Sequence, residues 1–150
     1  MKAAKLLFFV VALTPAAAFA CGDNERASGY EPTTTDQSVG WQKITIKELN
    51  QARGNATIAV FDANSAKTRM QYGVIPGATL LSSATAYDTG RELPADKNAR
   101  LVFYCANKLC TASHSAAERA VTAGYKSVYI LPDGIMGWKE AGQPTVVPTS

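Results

Sequence analysis

Beyond the first 20 residues, three short stretches of this chain have an unbroken apolar centre: Thr57-Ile58-Ala59-Val60-Phe61-Asp62, Leu101-Val102-Phe103-Tyr104 and Ser127-Val128-Tyr129-Ile130-Leu131. A strand wetted on one side alternates apolar and polar residues, so unbroken runs require cover on both faces, as in a parallel sheet. Helical patterns separate them. Ile46–Ala52 is a short amphipathic helix ending near Gly54, and Asp62–Ser65 is a turn with an N-cap leading into a helix through Met70. Trp41–Ile44 and Thr79–Leu81 are short strands, the second preceded by a turn over Gly73–Ala78. Ser82–Asn98, with Pro94 as a breaker, is irregular. Strands alternating with helices predict an α/β fold with a mainly parallel sheet.

The clearest helix begins at about Ser113. Thr111 or Ser113 can cap it, Ser115 and Glu118 have capping-box spacing, Ala117, Ala120 and Val121 form a buried stripe, and Gly124 stops it. A last helix spans Ile135–Ala141, after the Pro132-Asp133-Gly134 turn. Trp138 and Tyr104 are assigned to the core.

Ligands of parallel sheets sit at the carboxyl ends of strands, and Cys105 falls there. A loop, Cys105–Thr111, separates it from the helix. If that loop turns its backbone N–H groups and the helix N-terminus toward the sulfur, the thiolate is favoured, and an anion bound to it is held by the same donors. Lys108 can add positive charge. Cys110 is either a second thiol able to react with a species carried on Cys105, or a small packed hydrophobe. His114 is a solvent-facing residue or a group that tunes the cysteine.

The first 20 residues are excluded from the fold. Lys2 and Lys5, the apolar run Leu6–Leu13 and the small-x-small Ala18-Phe19-Ala20 describe an export signal, too short to persist as a membrane span. Cys21 follows that site directly, which admits lipidation and a membrane tether as well as a free thiol. Residues 21–40 are polar and turn-rich, a linker to one domain at 41–150. The expected location is therefore outside the cytoplasm, in a periplasm, with lipid anchoring an open alternative.

Removing residues 1–20 takes away two lysines, so 15 basic and 12 acidic residues become 13 and 12, a net +1. That balance gives no footprint for nucleic acid. Cys105, Cys110 and His114 offer three ligands without a fourth, so no metal site is expected. No cofactor is implied, and a monomer is expected.

Motifs in order along the chain resemble a single rhodanese domain: Ile75-Pro76-Gly77-Ala78, Tyr104-Cys105, Ala116-Ala117, Gly124-Tyr125, Val128–Leu131, Gly134-Ile135, Gly137-Trp138 and Ala141-Gly142-Gln143-Pro144. The resemblance spans about Ile44–Val146. It implies a three-layer α/β domain and a sulfurtransferase, in which Cys105 takes sulfane sulfur from a small donor such as thiosulfate. The resulting persulfide passes its sulfur to cyanide or a thiol. By the same resemblance Ala106, Asn107, Lys108, Leu109, Cys110 and Thr111 form the anion- or persulfide-binding loop, and Asp62 matches an acidic residue after the second strand.

The chain also departs from the family pattern. Its loop is seven residues long with neither glycine nor arginine, Ala112 stands near the expected arginine, and Asn64 replaces a frequent arginine beside Asp62. A phosphatase reading is disfavoured, because gripping phosphate needs that arginine. Two classes remain: a sulfurtransferase or persulfide carrier acting through Cys105, and a catalytically weak binding or redox-sensing module using the Cys105/Cys110 pair. Copper(I) or thiol binding by that pair is a third reading.

Overall fold

The computed structural model describes residues 40–54 and 58–148. The expected export signal, most of the linker and Cys21 lie outside the described residues. Five strands form one sheet: β1 (Gln42–Lys43), β2 (Ile58–Asp62), β3 (Thr79–Leu80), β4 (Arg100–Tyr104) and β5 (Ser127–Leu131), in the order β1-β5-β4-β2-β3. Every pairing is parallel. The helices are α1 (Ile46–Gly54), α2 (Ala66–Tyr72), α3 (Thr89–Glu92), α4 (Ala112–Thr122) and α5 (Gly134–Glu140).

The uninterrupted apolar runs are the central strands, and their residues divide between two cores. Phe61, Leu101, Phe103, Val128 and Ile130 face one layer, where Ala116, Ala117 and Ala120 of α4 let the helix approach closely. Val60, Val102, Tyr104 and Leu131 face the other, against Leu49 of α1 and Ile135 and Trp138 of α5. Each large apolar side chain enclosed this way contributes about 1.5–3 kcal/mol relative to exposure. Trp138 is a core residue whose indole N–H donates to the Pro144 carbonyl at 2.8 Å.

Two local features differ from the expectation. Ser115 and Glu118 lie inside α4, which begins at Ala112, whereas the reciprocal capping pair is at α1. There Thr45 N–H and hydroxyl donate to Glu48 Oε2 at 2.8 and 2.7 Å, and Glu48 N–H donates back to Thr45 Oγ1 at 3.2 Å. These bonds hold the Glu48 carboxyl below its usual range; burial acts the other way and is outweighed. The supposedly irregular 82–98 segment contains α3, started by Asp88 Oδ1 accepting from Gly90 N–H at 2.9 Å.

Candidate functional site

Cys105 follows β4 directly and is buried, 2 % exposed, at the sheet's carboxyl edge. Its Sγ is 3.1 Å from the Cys110 carbonyl oxygen, to which the S–H donates, and 3.3 Å from Ser113 Oγ. The loop reaches this shape through a turn in which Cys110 N–H donates to Asn107 O at 3.1 Å. Asn107 fixes the turn with its side chain, accepting from Leu109 N–H at 3.0 Å and donating to Met136 Sδ at 3.4 Å.

The expected backbone cradle is divided between two sulfurs. Ser113 N–H points at Cys105, while the N–H groups of Ala106 and Ala112 point at Cys110. Thr111, the N-cap residue of α4, makes no side-chain capping bond. Amides that an ordinary helix start would give to a capping oxygen are directed at thiols instead. Thr111 thus holds the expected N-cap position through its backbone alone, and the Ser113 hydroxyl is turned to Cys105.

Both cysteines are free thiols, and they are not alike. Burial pushes the Cys105 thiol up, its interaction with Cys110 pushes it further, and the Ser113 hydroxyl and N–H only partly offset this. At Cys110 burial also pushes upward, but it is outweighed by the Cys105 side chain and by the N–H groups of Ala106 and Ala112, so this thiol is lowered. The donors expected around one sulfur are thus shared between two, Ser113 N–H at Cys105 and the N–H groups of Ala106 and Ala112 at Cys110.

Behind the loop stands α5. Ile135 N–H donates to Cys105 O at 2.9 Å and Met136 N–H to Ala106 O at 3.0 Å, so the start of this helix holds the loop by its carbonyls. Gly134 makes this approach feasible. At φ +60°, a Cβ there would lie 2.5 Å from Cys105 O and 2.6 Å from Ala106 C and O. Lys108 Nζ meets Asp133 Oδ1 at 3.0 Å, which ties the loop's one cationic side chain to the same helix start. Leu109 at the tip is 91 % exposed.

Asp62 and His114 are engaged elsewhere. Asp62, fully buried, accepts from Arg69 Nε at 3.1 Å and from Asn64 N–H at 2.7 Å. It also interacts with Tyr104, whose hydroxyl accepts from Ile75 N–H at 3.0 Å. Burial, then the Asp62 charge, pushes the Tyr104 hydroxyl above its usual range. His114 packs edge-on to Trp41 with ring centroids 5.0 Å apart, and its Nδ1 is buried with no hydrogen-bond partner.

Ser113, Gly134, Asp133 and Met136 were not among the residues assigned to the site from sequence. A small hydroxyl residue just after the loop was a readable hint of Ser113. The other three depend on α5 folding back onto the loop. No group of three or more metal-ligating side chains occurs among the described residues.

A parallel α/β sheet with a cysteine at the exit of its central strand, walled by loop backbone and two helix starts, defines the class of strand-end cysteine-loop domains. Within that class the chain belongs to the rhodanese-like domain family, whose model matches residues 45–141. Among solved structures it is similar to the human single-domain sulfurtransferase, at 22 % identity and TM-score 0.53, covering 65 % of this chain and 95 % of that one. A rhodanese-related protein from Thermoplasma volcanium is similar at 18 % identity and TM-score 0.56, covering 71 % and 99 %. A Rhodopseudomonas palustris protein of unknown function, a possible tyrosine phosphatase, is similar at 23 % identity and TM-score 0.56, covering 70 % and 84 %. These likenesses concern the fold. No curated protein matches the chain significantly.

Proposed function

We propose that this domain is a sulfurtransferase or persulfide carrier. Cys105 attacks the sulfane sulfur of a small donor such as thiosulfate, the donor's sulfur–sulfur bond breaks, and the remainder leaves with the bonding electrons as sulfite. The Cys105 persulfide then yields its outer sulfur to cyanide or a thiol. The observation that carries this reading is the Cys105 sulfur at the exit of β4, with the Ser113 hydroxyl 3.3 Å away and Ser113 N–H aimed at it. Those donors would stabilise the attacking thiolate and the persulfide anion that replaces it. Membership of the rhodanese-like domain family supports the same chemistry.

The test is sulfur loading followed by intact mass. Thiosulfate or inorganic polysulfide should add one sulfur atom mapped to Cys105, and thiocyanate should form when cyanide follows. Cys105→Ser should do neither; transfer that survives this substitution contradicts the proposal. With Lys108 held by Asp133, the loop has no free side-chain cation for a dianionic donor. Phosphate esters should not turn over, because the loop has no arginine to grip a phosphate.

A specific observation also favours the second reading, a redox-sensing module. Two free thiols share one short loop, with Cys105 Sγ 3.1 Å from the Cys110 carbonyl, the arrangement of a dithiol that could be oxidised as a pair. Oxidation of the pair without any sulfur loading from either donor would favour this reading over transfer.

In this reading the protein acts outside the cytoplasm, after cleavage following Ala20, as a monomer tethered through a lipid on Cys21 or, without that lipid, released. The mass of the mature chain separates a lipidated from an unmodified Cys21.

A further inference from the structure

We propose that Cys110 is a second reacting thiol, which resolves the Cys105 persulfide by closing a Cys105–Cys110 disulfide and expelling the outer sulfur as hydrosulfide. This rests on the transfer reading, since it needs a persulfide on Cys105. The step balances without an added oxidant. The Cys110 thiolate attacks Cys105 Sγ, a bond forms between the two cysteine sulfurs, and the bond from Sγ to the outer sulfur breaks. The outer sulfur leaves with that electron pair as HS⁻. It has been reduced by two electrons, and the thiol pair has been oxidised to a disulfide. An external dithiol of the reductase-partner type then reopens the disulfide and becomes oxidised in turn.

Three features of the loop converge on this role. The turn closed by Cys110 N–H on Asn107 O folds the second cysteine back over the first, and puts Cys105 Sγ 3.1 Å from the Cys110 carbonyl. The amides of Ala106 and Ala112 are aimed at the Cys110 sulfur, so the site is built to hold negative charge there as well as on Cys105. Cys110 is only half-buried while Cys105 is buried, which leaves a disulfide between them open to a reductant on the Cys110 side. A cysteine serving only as packing would need none of the amide donors. Its lowered acidity constant fits the same geometry, because the attacking species is the thiolate.

The test loads the full mature chain briefly with inorganic polysulfide under argon, removes the excess, and follows intact mass and mapped peptides. Wild type should lose its added sulfur and end two hydrogens lighter than the reduced chain, with Cys105 and Cys110 joined, and should recover both thiols when a dithiol is added. Cys110→Ser and Cys110→Ala should take sulfur onto Cys105 and keep it about tenfold longer or more, because a neighbouring nucleophile acts at high effective concentration. Equal persistence in wild type and both variants overturns the resolving role while the transfer reading stands. Cys105→Ser that gains a sulfur on Cys110 overturns the assigned order of the two thiols. A wild type and variants that never load overturn the transfer reading, and this inference with it.

Discussion

Two strands that lie side by side, β2 and β4, end in opposite ways. At the end of β2, Asp62 is locked by charge and side chains: Arg69 Nε on its carboxylate, Arg69 Nη2 on its carbonyl at 2.9 Å and on Leu81 O at 2.8 Å, and Asn64 on both carboxylate oxygens. At the end of β4, Cys105 is held mainly by backbone: its carbonyl is bound by α5, its S–H donates to the Cys110 carbonyl, and one amide, that of Ser113, is turned toward its sulfur. A carboxylate with such a set of partners is a brace. A thiol among amides, with no side-chain charge on it, is free to change what it is bonded to. The contrast teaches that position at a sheet's carboxyl edge does not make a residue reactive; the unfilled bonding capacity around it does.

The sharpest way to break this contrast is Arg69→Ala. It leaves the Asp62 carboxylate buried without its counter-charge, at a cost of roughly 3–5 kcal/mol. Chemical denaturation should report that loss, while sulfur loading per folded molecule should stay near wild type; a selective loss of loading would move Asp62 into the chemistry. Next in size is Gly134→Ala. It should lower stability by about 1–3 kcal/mol from backbone strain and abolish most sulfur loading, because its Cβ meets Cys105 O and Ala106. Gly142→Ala, at φ +70° with nothing within 4 Å of the added carbon, controls for strain alone and should leave loading unchanged.

A third experiment sharpens the reactive side. Alkylation needs the thiolate, so a lowered acidity constant moves labelling to lower pH and a raised one to higher pH. Mapped iodoacetamide labelling should therefore rise first at Cys110, below the pH where an ordinary thiol labels, and at Cys105 only above it. The reverse order would return the thiolate to Cys105. The smallest effect belongs to Lys108→Ala. Its ion pair with Asp133 is 74 % exposed on the lysine side, so melting should shift by less than about 1 kcal/mol. Thiosulfate loading should change little, since the Lys108 side chain is mostly in solvent.

The brace and the site differed in how far they could be read from sequence. β2, β4 and β5 were legible because unbroken apolar runs have few alternative homes, and Ser127–Leu131 was placed to the residue. Cys105 was legible as the residue at the exit of such a run. Arg69 was not, since its partners Asp62 and Leu81 lie in separate segments joined only by parallel pairing of β2 with β3. α3 was hidden because four residues give almost no periodicity, and Pro94 nearby argues for irregular chain. The division of loop amides between two sulfurs was out of reach for a related reason. It depends on a turn set by the Asn107 side chain, and asparagine in a loop is compatible with many turns.

Because the bare α-carbon of Gly134 sits against the carbonyls leaving β4, the cysteine loop and the opening of α5 constitute a single heritable module. Transplanting either half alone into another scaffold would bring a foreign side chain into that contact. A designer wishing to remodel sulfur chemistry here would have to exchange both segments together, though residues 112–133 lie between them.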